Sequence, residues 1–183
     1  MTTGVPTPEM RNRSATSLTT CCPAESIVVL LKKGSTVTSA DQLNKSGTKI
    51  AVLQGSSQEF SSKLLFPSAS FSPFAGLADA VNEVATGRAE ATVLSEFDVE
   101  DSLKAHPDLK LLAGPPLWVD ANTYLMPLGD YKLQAWVNNW LRYNATHQRL
   151  TSLWKKWLGP GLQKYHLLTY GVGAGSEPVE VKV

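Results

Sequence analysis

A short apolar run followed at once by a helix start is the feature that most constrains the fold of this chain. Residues 50–59 read IAVLQGSSQE, in which an apolar run and a glycine precede Ser56-Ser57-Gln58-Glu59. An apolar run of this length, bounded by turn residues, is typical of a buried strand. The Ser-x-x-Glu spacing fits a capping box, in which the two side chains satisfy each other's backbone N–H groups. A helix is therefore predicted to begin at Ser56 or Ser57.

The same alternation continues along the chain. Strands are predicted over residues 26–31, 50–53, 71–74, 91–94, 109–112 and 124–126, and helices over residues 99–105 and from Leu77 to a stop at Gly87. Strands that alternate with helices at this spacing favour the α/β class, with a largely parallel sheet. The run SIVVLL at 26–31 is predicted to be a strand buried on both faces.

Two amphipathic helices are predicted toward the C-terminus. Apolar residues recur at helical spacing in two sets: Leu133, Trp136, Val137, Trp140 and Leu141, then Leu150, Leu153, Trp154 and Trp157. Because such a stripe normally faces the core, these tryptophans are predicted to be buried. The alternating residues 179–183 would either stay loose or add an edge strand.

The composition argues against two kinds of partner. The chain has 183 residues and a net charge of +1, and its longest basic runs are the lysine pairs at 32–33 and 155–156. Nucleic-acid binding needs a concentrated basic face, so this class is rejected. No apolar stretch approaches the ~20 residues of a membrane span, and residues 1–10 lack the features of a signal peptide.

The adjacent Cys21 and Cys22 are predicted to be free thiols, because a bridge between neighbours strains the peptide bond.

Neither a metal nor a cofactor is predicted. His106, His147 and His166 lack metal-ligand spacing, and the sequence contains no phosphate-loop, dinucleotide-binding or nucleophile-elbow motif. Hydroxyl and N–H groups at the helix start suit an anion, since the helix dipole is positive there. Glu96, just past the strand at 91–94, offers a carboxylate to a cation. Together these groups suit a zwitterion such as an amino acid, which favours a binder of small solutes over a catalyst.

The order of these segments resembles the bacterial type 2 periplasmic solute-binding proteins of polar amino-acid ABC transporters. The matching pieces are TPEMR (7–11), PAESIVVLLKKGS (23–35), IAVLQGSSQE (50–59), ADAVNEVATGRAEATVLSE (78–96), HPDLKLL (106–112) and YLMPLGD (124–130), followed by WVNNWL and LWKKWLG. The resemblance covers residues 1–160. It implies a periplasmic-binding-protein-like α/β fold, with two lobes joined by hinge strands that close on the ligand. Lobe 2 is expected over residues 24–122, and the remainder of lobe 1 over residues 1–23 and 123–183.

The chain departs from this family in two places. The family carries several strand–helix units before the segment that begins here at Met1, so the first lobe is expected to be incomplete at its N-terminal side. In residues 10–22, MRNRSATSLTTCC, Met10 separates Glu9 from Arg11 and the family's aromatic residues are missing. A shortened lobe would leave strand edges unpaired, and a homo-oligomer would complete it.

The resemblance implies ligand-binding roles for six residues: Arg11, Ser56, Ser57, Gln58, Glu96 and Thr3. Arg11, with Arg13 as the second candidate, matches an arginine that forks onto the ligand carboxylate. Ser56 and Ser57 match a hydroxyl pair, with plain N-capping as the alternative for Ser56. Glu96 matches an aspartate that pairs with the ligand ammonium, and its alternative is a solvent-facing acid.

The expected function is that of the periplasmic solute-binding component of an ABC importer, which binds an amino acid without chemistry and docks on a permease. The alternative is an enzyme similar to cyclohexadienyl or arogenate dehydratases, with Glu96 or Glu100 as the general acid. The dehydratase loop reads Asn-Pro-Gly-Gly-Thr-Asn, whereas residues 53–58 read LQGSSQ, which favours the binding protein. A third interpretation is a truncated homologue that binds no ligand.

Overall fold

The computed structural model of the protein describes residues 2–4, 15–17, 24–121, 123–127 and 129–157. The strands are β1 (Thr2–Gly4), β2 (Ala15–Ser17), β3 (Ala24–Lys32), β4 (Lys49–Leu53), β5 (Ser70–Phe74), β6 (Ala91–Ser95), β7 (Leu109–Leu111), β8 (Trp118–Ala121) and β9 (Thr123–Pro127). The α-helices are α1 (Ser57–Leu65), α2 (Leu77–Ala85), α3 (Val99–Ala105), α4 (Tyr131–Thr146) and α5 (Arg149–Trp157). Two 3-10 turns cover Ala40–Leu43 and Glu96–Asp98.

The chain divides into two compact units. The first contains Met1–Glu25 and Val119–Val183, and the second contains Ser26–Trp118. The polypeptide therefore passes between the units twice, once within β3 and once at the start of β8. The boundaries predicted from the sequence, after residues 23 and 122, lie a few residues away from these two positions.

The second unit is built on a sheet with strand order β5-β4-β6-β3-β7, and β8 also pairs with β3. β4 lies parallel to β5 and to β6, with Ile50 opposite Ala91 and Ala51 opposite Thr92. β3 runs antiparallel to both β6 and β7. The sheet is therefore mixed, and the predicted largely parallel sheet is wrong at β3.

The direction of β3 follows from its connection to β4. Between Lys32 and Lys49 the chain forms one short 3-10 turn and no α-helix. A parallel connection needs a crossover, usually an α-helix, that carries the chain back along the sheet. Lys32, Lys49 and Glu90 line one hollow, so β4 and β6 begin at the edge of the sheet where β3 ends.

The core of the second unit lies on this sheet. One buried cluster is formed by Ile27, Val29, Leu31, Val37, Leu43, Ile50, Val52, Phe66, Ala91 and Val93. Helix α2 buries Val81 and Val84 and contacts β4, β5 and β6. Every residue in 27–31 is buried, which confirms that β3 is covered on both faces.

In the first unit, β9 pairs antiparallel with β1 on one side and with β2 on the other. Met126 of β9 forms a buried cluster with Val137 and Leu141 of α4, against which Leu133 and Leu150 pack. This cluster uses only part of the apolar surface predicted for the two helices.

The predicted burial of the C-terminal tryptophans is wrong for three of them. Trp136 is 63% exposed, Trp157 is 71% exposed, and Trp140 is also largely open to solvent. The reason is geometric, since Val137 and Leu141 lie on one side of α4 and Trp136 and Trp140 lie on the adjacent side. One helix therefore carries two apolar stripes, and the described residues cover only one of them.

Several of the other predicted elements are confirmed, but the prediction missed three short strands. The helix predicted to begin at Ser56 or Ser57 is confirmed as α1, and the predicted strands at 71–74, 91–94, 109–112 and 124–126 appear as β5, β6, β7 and β9. The short strands β1, β2 and β8 were not predicted. Cys21, Cys22 and residues 179–183 lie outside the described residues. No helix in the described part of the chain has the length and apolarity of a membrane span.

Candidate functional site

Two predicted site segments follow neighbouring strands of the second unit. β4 ends at Leu53 and β6 ends at Ser95, and the two strands are parallel and adjacent. The carboxyl ends of parallel strands meet at one edge of a sheet, which is where α/β proteins commonly bind ligands. Helix α1, which follows β4, also contacts β6. Ser56 and Ser57 therefore lie at the same sheet edge as Glu96.

The turn into α1 is fixed by backbone geometry and by capping. Gly55 has φ of +73°, a conformation that side chains rarely adopt. Ser56 is the N-cap: its Oγ accepts a hydrogen bond from Glu59 N (3.1 Å) and donates one to Leu53 O (2.7 Å). Both functions of this hydroxyl are therefore occupied, which favours the capping role that was the alternative for Ser56.

The predicted capping box differs in one partner. Glu59 does not reach back to Ser56 N; its Oε2 accepts from Gly55 N (2.7 Å), one residue earlier. Its Oε1 accepts from Lys63 Nζ at 2.6 Å. These two donors, Lys63 first, lower the pKa of Glu59 from its ordinary value. The only acid in the first turn of α1 is thus matched by an ammonium one turn later.

Two backbone donors remain at the start of α1. Within the described residues, no acceptor takes a hydrogen bond from the N–H groups of Ser57 and Gln58, whereas that of Glu59 is bound by Ser56. The Ser57 hydroxyl donates to Gln58 Oε1 at 3.3 Å, a long and weak contact. Two neighbouring N–H groups at the positive end of a helix form a suitable cradle for a carboxylate.

Glu96 lies at the end of β6 but turns inward. Its side chain is 2% exposed, and its Oε1 accepts a hydrogen bond from Ser26 N at 2.8 Å. Ser26 is near the start of β3, which pairs with β6 so that Ile27 lies opposite Ser95. The solvent-facing alternative for Glu96 is therefore wrong.

A basic hollow of about 550 Å³ lies at the opposite edge of the sheet, lined in part by Lys32, Lys49 and Arg88. Arg88 is engaged there by Glu83, whose Oε1 accepts from Nε (3.0 Å) and Nη2 (2.9 Å). This edge holds the amino ends of β4 and β6, so it carries neither free helix-start amides nor the Glu96 carboxylate.

Solved structures of binding proteins share this architecture. An ancestral amino acid-binding protein, described as a precursor of cyclohexadienyl dehydratase, is 28% identical, with a TM-score of 0.69 over 84% of this chain and 65% of its own length. A putative binding component of an ABC transporter from Wolinella succinogenes, solved with lysine, is 22% identical, with a TM-score of 0.73 over 84% and 66%. The solute receptor for L-cysteine of Neisseria gonorrhoeae is 18% identical, with a TM-score of 0.73 over 87% and 63%.

This chain has a periplasmic-binding-protein-like α/β fold. It spans 65% of the length of the ancestral protein and 63% of that of the Neisseria receptor, which is consistent with an incomplete lobe. The predicted shortening of the first lobe at its N-terminal side stays a prediction. No protein-family model and no curated protein matches the chain.

The remaining residues predicted for a site in this periplasmic-binding-protein-like fold belong to the first unit. Arg11 and Arg13 lie outside the described residues. Thr3 lies in β1, where its backbone pairs with Tyr124, and its side chain is not among those described. The described residues contain no group of three His, Cys, Asp or Glu side chains that would hold a metal ion.

Sequence analysis missed the two backbone groups that hold the acidic residues of this edge. These are Gly55 N, which binds Glu59, and Ser26 N, which binds Glu96. A backbone N–H carries no residue-specific signal, so only the register between β3 and β6 reveals the second contact. The glycine at position 55 was visible as a turn residue, but not as a donor.

The N-terminal cap of α1 predicts a pH-dependent loss of stability. The folded-state pKa of Glu59 is lowered, so its stabilisation is present above the unfolded-state value of about 4.3 and is lost as pH falls through the lower folded-state value. Glu59→Gln should therefore lower the free energy of unfolding at neutral pH, and the difference from the native protein should shrink as the pH falls below about 4. Urea unfolding of the native protein and of Glu59→Gln at several pH values measures this difference in the free energy of unfolding.

Ser56→Ala is the matched control, because it removes the cap hydroxyl and not a titrating group. Its cost of about 1 kcal/mol should stay constant over the same pH range. A Glu59→Gln effect that is equally constant would contradict the assigned role of the charge.

Proposed function

We propose that this protein is the solute-binding component of an ABC importer and binds an amino acid or a similar small zwitterion without chemistry. The carrying observation is the pair of N–H groups of Ser57 and Gln58 at the same sheet edge as the carboxylate of Glu96. The two N–H donors suit an anion, and the carboxylate, which is an acceptor, suits a cation. The amino-acid-binding and ABC-transporter proteins of the same fold support this proposal.

The ligand carboxylate would take the N–H groups of Ser57 and Gln58, with the Ser57 hydroxyl as a third donor. The helix dipole adds a favourable field at this point. Glu59 does not cancel that field, because Lys63 and Gly55 N already engage its carboxylate. Hydrogen bonds to a charged group contribute about 1.5–3 kcal/mol, so two amides are enough to orient a small ligand.

The ligand ammonium would pair with Glu96. The family pattern has an aspartate here, and the longer glutamate is what reaches Ser26 N at 2.8 Å. Ser26 is the first residue of the second unit. The Glu96 carboxylate would therefore bind both the ligand ammonium and the backbone of the residue at which the chain enters the second unit. Ligand binding would thus be coupled to the position of this residue.

The same proposal places the protein in the periplasm, with an ABC permease as its partner. It also keeps a homo-oligomer as a means of completing the first lobe. β1 and β2 flank β9, so both are edge strands of this sheet among the described residues, and an edge strand can pair with another chain.

Replacing Ser57 by proline tests the amide cradle directly. Ser57 is the first residue of α1, where proline is tolerated, and Ser56 has the extended φ and ψ that precede proline readily. Ser57→Pro deletes the N–H and the hydroxyl, whereas Ser57→Ala deletes only the hydroxyl. For a ligand found by calorimetry against arginine, lysine, histidine, glutamine and glutamate, Ser57→Ala should weaken binding by about 2- to 10-fold. Ser57→Pro should weaken it by a further tenfold or more.

Urea unfolding of both variants checks that α1 is retained. Equal affinities of the proline and alanine variants would show that the Ser57 amide does not contact the ligand. Silence of the native protein across the whole panel would favour the truncated homologue that binds no ligand.

Replacing Glu96 by glutamine tests the ammonium contact. The glutamine oxygen still accepts from Ser26 N, but the negative charge is gone. Binding of an amino acid should weaken by about tenfold or more, while binding of the matching ligand without its α-amino group should change little. If both ligands lose the same affinity, Glu96 acts on the structure and not on the ammonium.

The ancestral neighbour described as a precursor of cyclohexadienyl dehydratase favours a second candidate, a dehydratase. Its general acid would be Glu96 or Glu100, and Glu100 is paired with Lys104 Nζ at 3.0 Å. With the loop sequence LQGSSQ, we expect no aromatic product when the protein is incubated with prephenate or arogenate and monitored by ultraviolet absorbance. Turnover that is lost in Glu96→Gln would overturn the binding-protein proposal.

A further inference from the structure

The helix pair α4–α5, residues 131–157, carries a row of exposed aromatic side chains. One stripe of α4 is formed by residues at positions i, i+4, i+8, i+11 and i+15, which are Lys132, Trp136, Trp140, Tyr143 and His147. Trp136, Trp140 and Tyr143 are all exposed. On α5, Leu153 and Trp157 are one turn apart and also exposed. A large apolar surface of this kind on a folded domain marks a site of interaction.

The same helix pair has an extreme charge composition. It contains five of the chain's 17 Lys and Arg residues and none of its 16 Asp and Glu residues. It also contains four of the five tryptophans. Lys156 Nζ lies 4.9 Å from the centre of the Trp157 ring, so cation and aromatic ring are in direct contact. The rest of the chain must then be net acidic, since the whole chain has a charge of only +1.

We propose that this basic aromatic face docks on an anionic lipid surface. Tryptophan and tyrosine have an apolar ring and a polar group, and they favour the boundary between lipid and water. Lysine and arginine lay their apolar stems along such a boundary and keep the charge at the headgroups. A helix with aromatic residues on one face and cations beside them is the pattern of an interfacial helix that lies on the membrane.

Charge complementarity selects this occupant over a second copy of the chain. A two-fold symmetric contact places the same surface patch of each copy against the other. Because the helix pair contains five cations and no acid, its cations would then face cations, and like charges oppose close contact. An anionic surface meets the same residues with opposite charge.

This docking surface goes beyond the proposed solute binding and does not depend on it. It uses residues of α4 and α5 in the first unit, whereas the proposed amide cradle and Glu96 belong to the second unit. Failure of one proposal therefore leaves the other untouched.

Vesicle partitioning of the full chain tests the proposal. Vesicles of phosphatidylcholine alone are compared with an equal mixture of phosphatidylcholine and phosphatidylglycerol, by co-sedimentation and by tryptophan emission. We expect binding to the mixed vesicles with a blue shift of the emission, little binding to neutral vesicles, and release as salt is raised.

Matched variants locate the contact. Lys132→Gln and Lys45→Gln change the net charge equally, but Lys45 is an exposed lysine of the second unit. Lys132→Gln should lower the partition coefficient about five-fold, and Lys45→Gln should leave it unchanged. Trp136→Ala should lower it several-fold, whereas Leu64→Ala, which removes a 70% exposed apolar side chain from α1, should not.

Four results would overturn the proposal. The first is equal binding to neutral and anionic vesicles, and the second is an equal effect of the two lysine substitutions. The third is binding to soluble polyglutamate without binding to the vesicles, which would assign the face to an acidic polypeptide. A doubled mass by light scattering that Trp136→Ala returns to the monomer value would likewise overturn it, in favour of a second copy.

Discussion

The parallel pairing of β4 with β6 is the constraint on which the candidate site depends. With Ile50 opposite Ala91, the two strands end at one edge of the sheet, so the segments that follow them must start there. One segment is a helix start with open amides, and the other begins with Glu96. Nothing in the sequence between these segments requires them to meet. A shift of one residue in this register would turn the apolar side chains to the wrong faces, and the buried cluster around Ile50 and Val52 prevents it.

Glu96 is a buried acid that is hydrogen-bonded near the point where the chain enters the second unit. Its carboxylate lies among residues that exclude water, and its backbone partner, Ser26 N, belongs to the strand that enters from the other unit. Burying a carboxylate is costly unless it is hydrogen-bonded, so this contact is part of what holds the start of β3 in place. At the start of α1, by contrast, the Glu59 carboxylate is bound locally by Gly55 N and Lys63, and Ser56 caps the N–H of Glu59, while the N–H groups of Ser57 and Gln58 stay open.

Local patterns predicted the elements of this fold better than their arrangement. The capping sequence at residues 56–59 and the apolar run at residues 26–31 are local signals, and both gave the right element. The direction of β3 was wrong because it depends on the absence of a helix between Lys32 and Lys49. The burial of Trp136 and Trp140 was wrong because helical spacing shows that a face is apolar but not what covers it. The Ser26–Glu96 contact depends on the pairing of strands 70 residues apart, which no local pattern contains.

The two proposed surfaces use charge in different ways. The charges of the proposed ligand site nearly balance, since the open amides at the start of α1 would face an anion and Glu96 would face a cation, with Glu59 already matched by Lys63. Its contacts with a ligand would be hydrogen bonds to buried or half-buried groups, which mobile ions screen weakly. The α4–α5 helix pair contains five Lys and Arg residues and no acid, and its proposed attraction for an anionic surface would act at long range through solvent. Salt near the physiological range has a Debye length of about 8 Å, so it weakens the second interaction far more than the first. A protein of this kind would release the surface while it still holds its ligand.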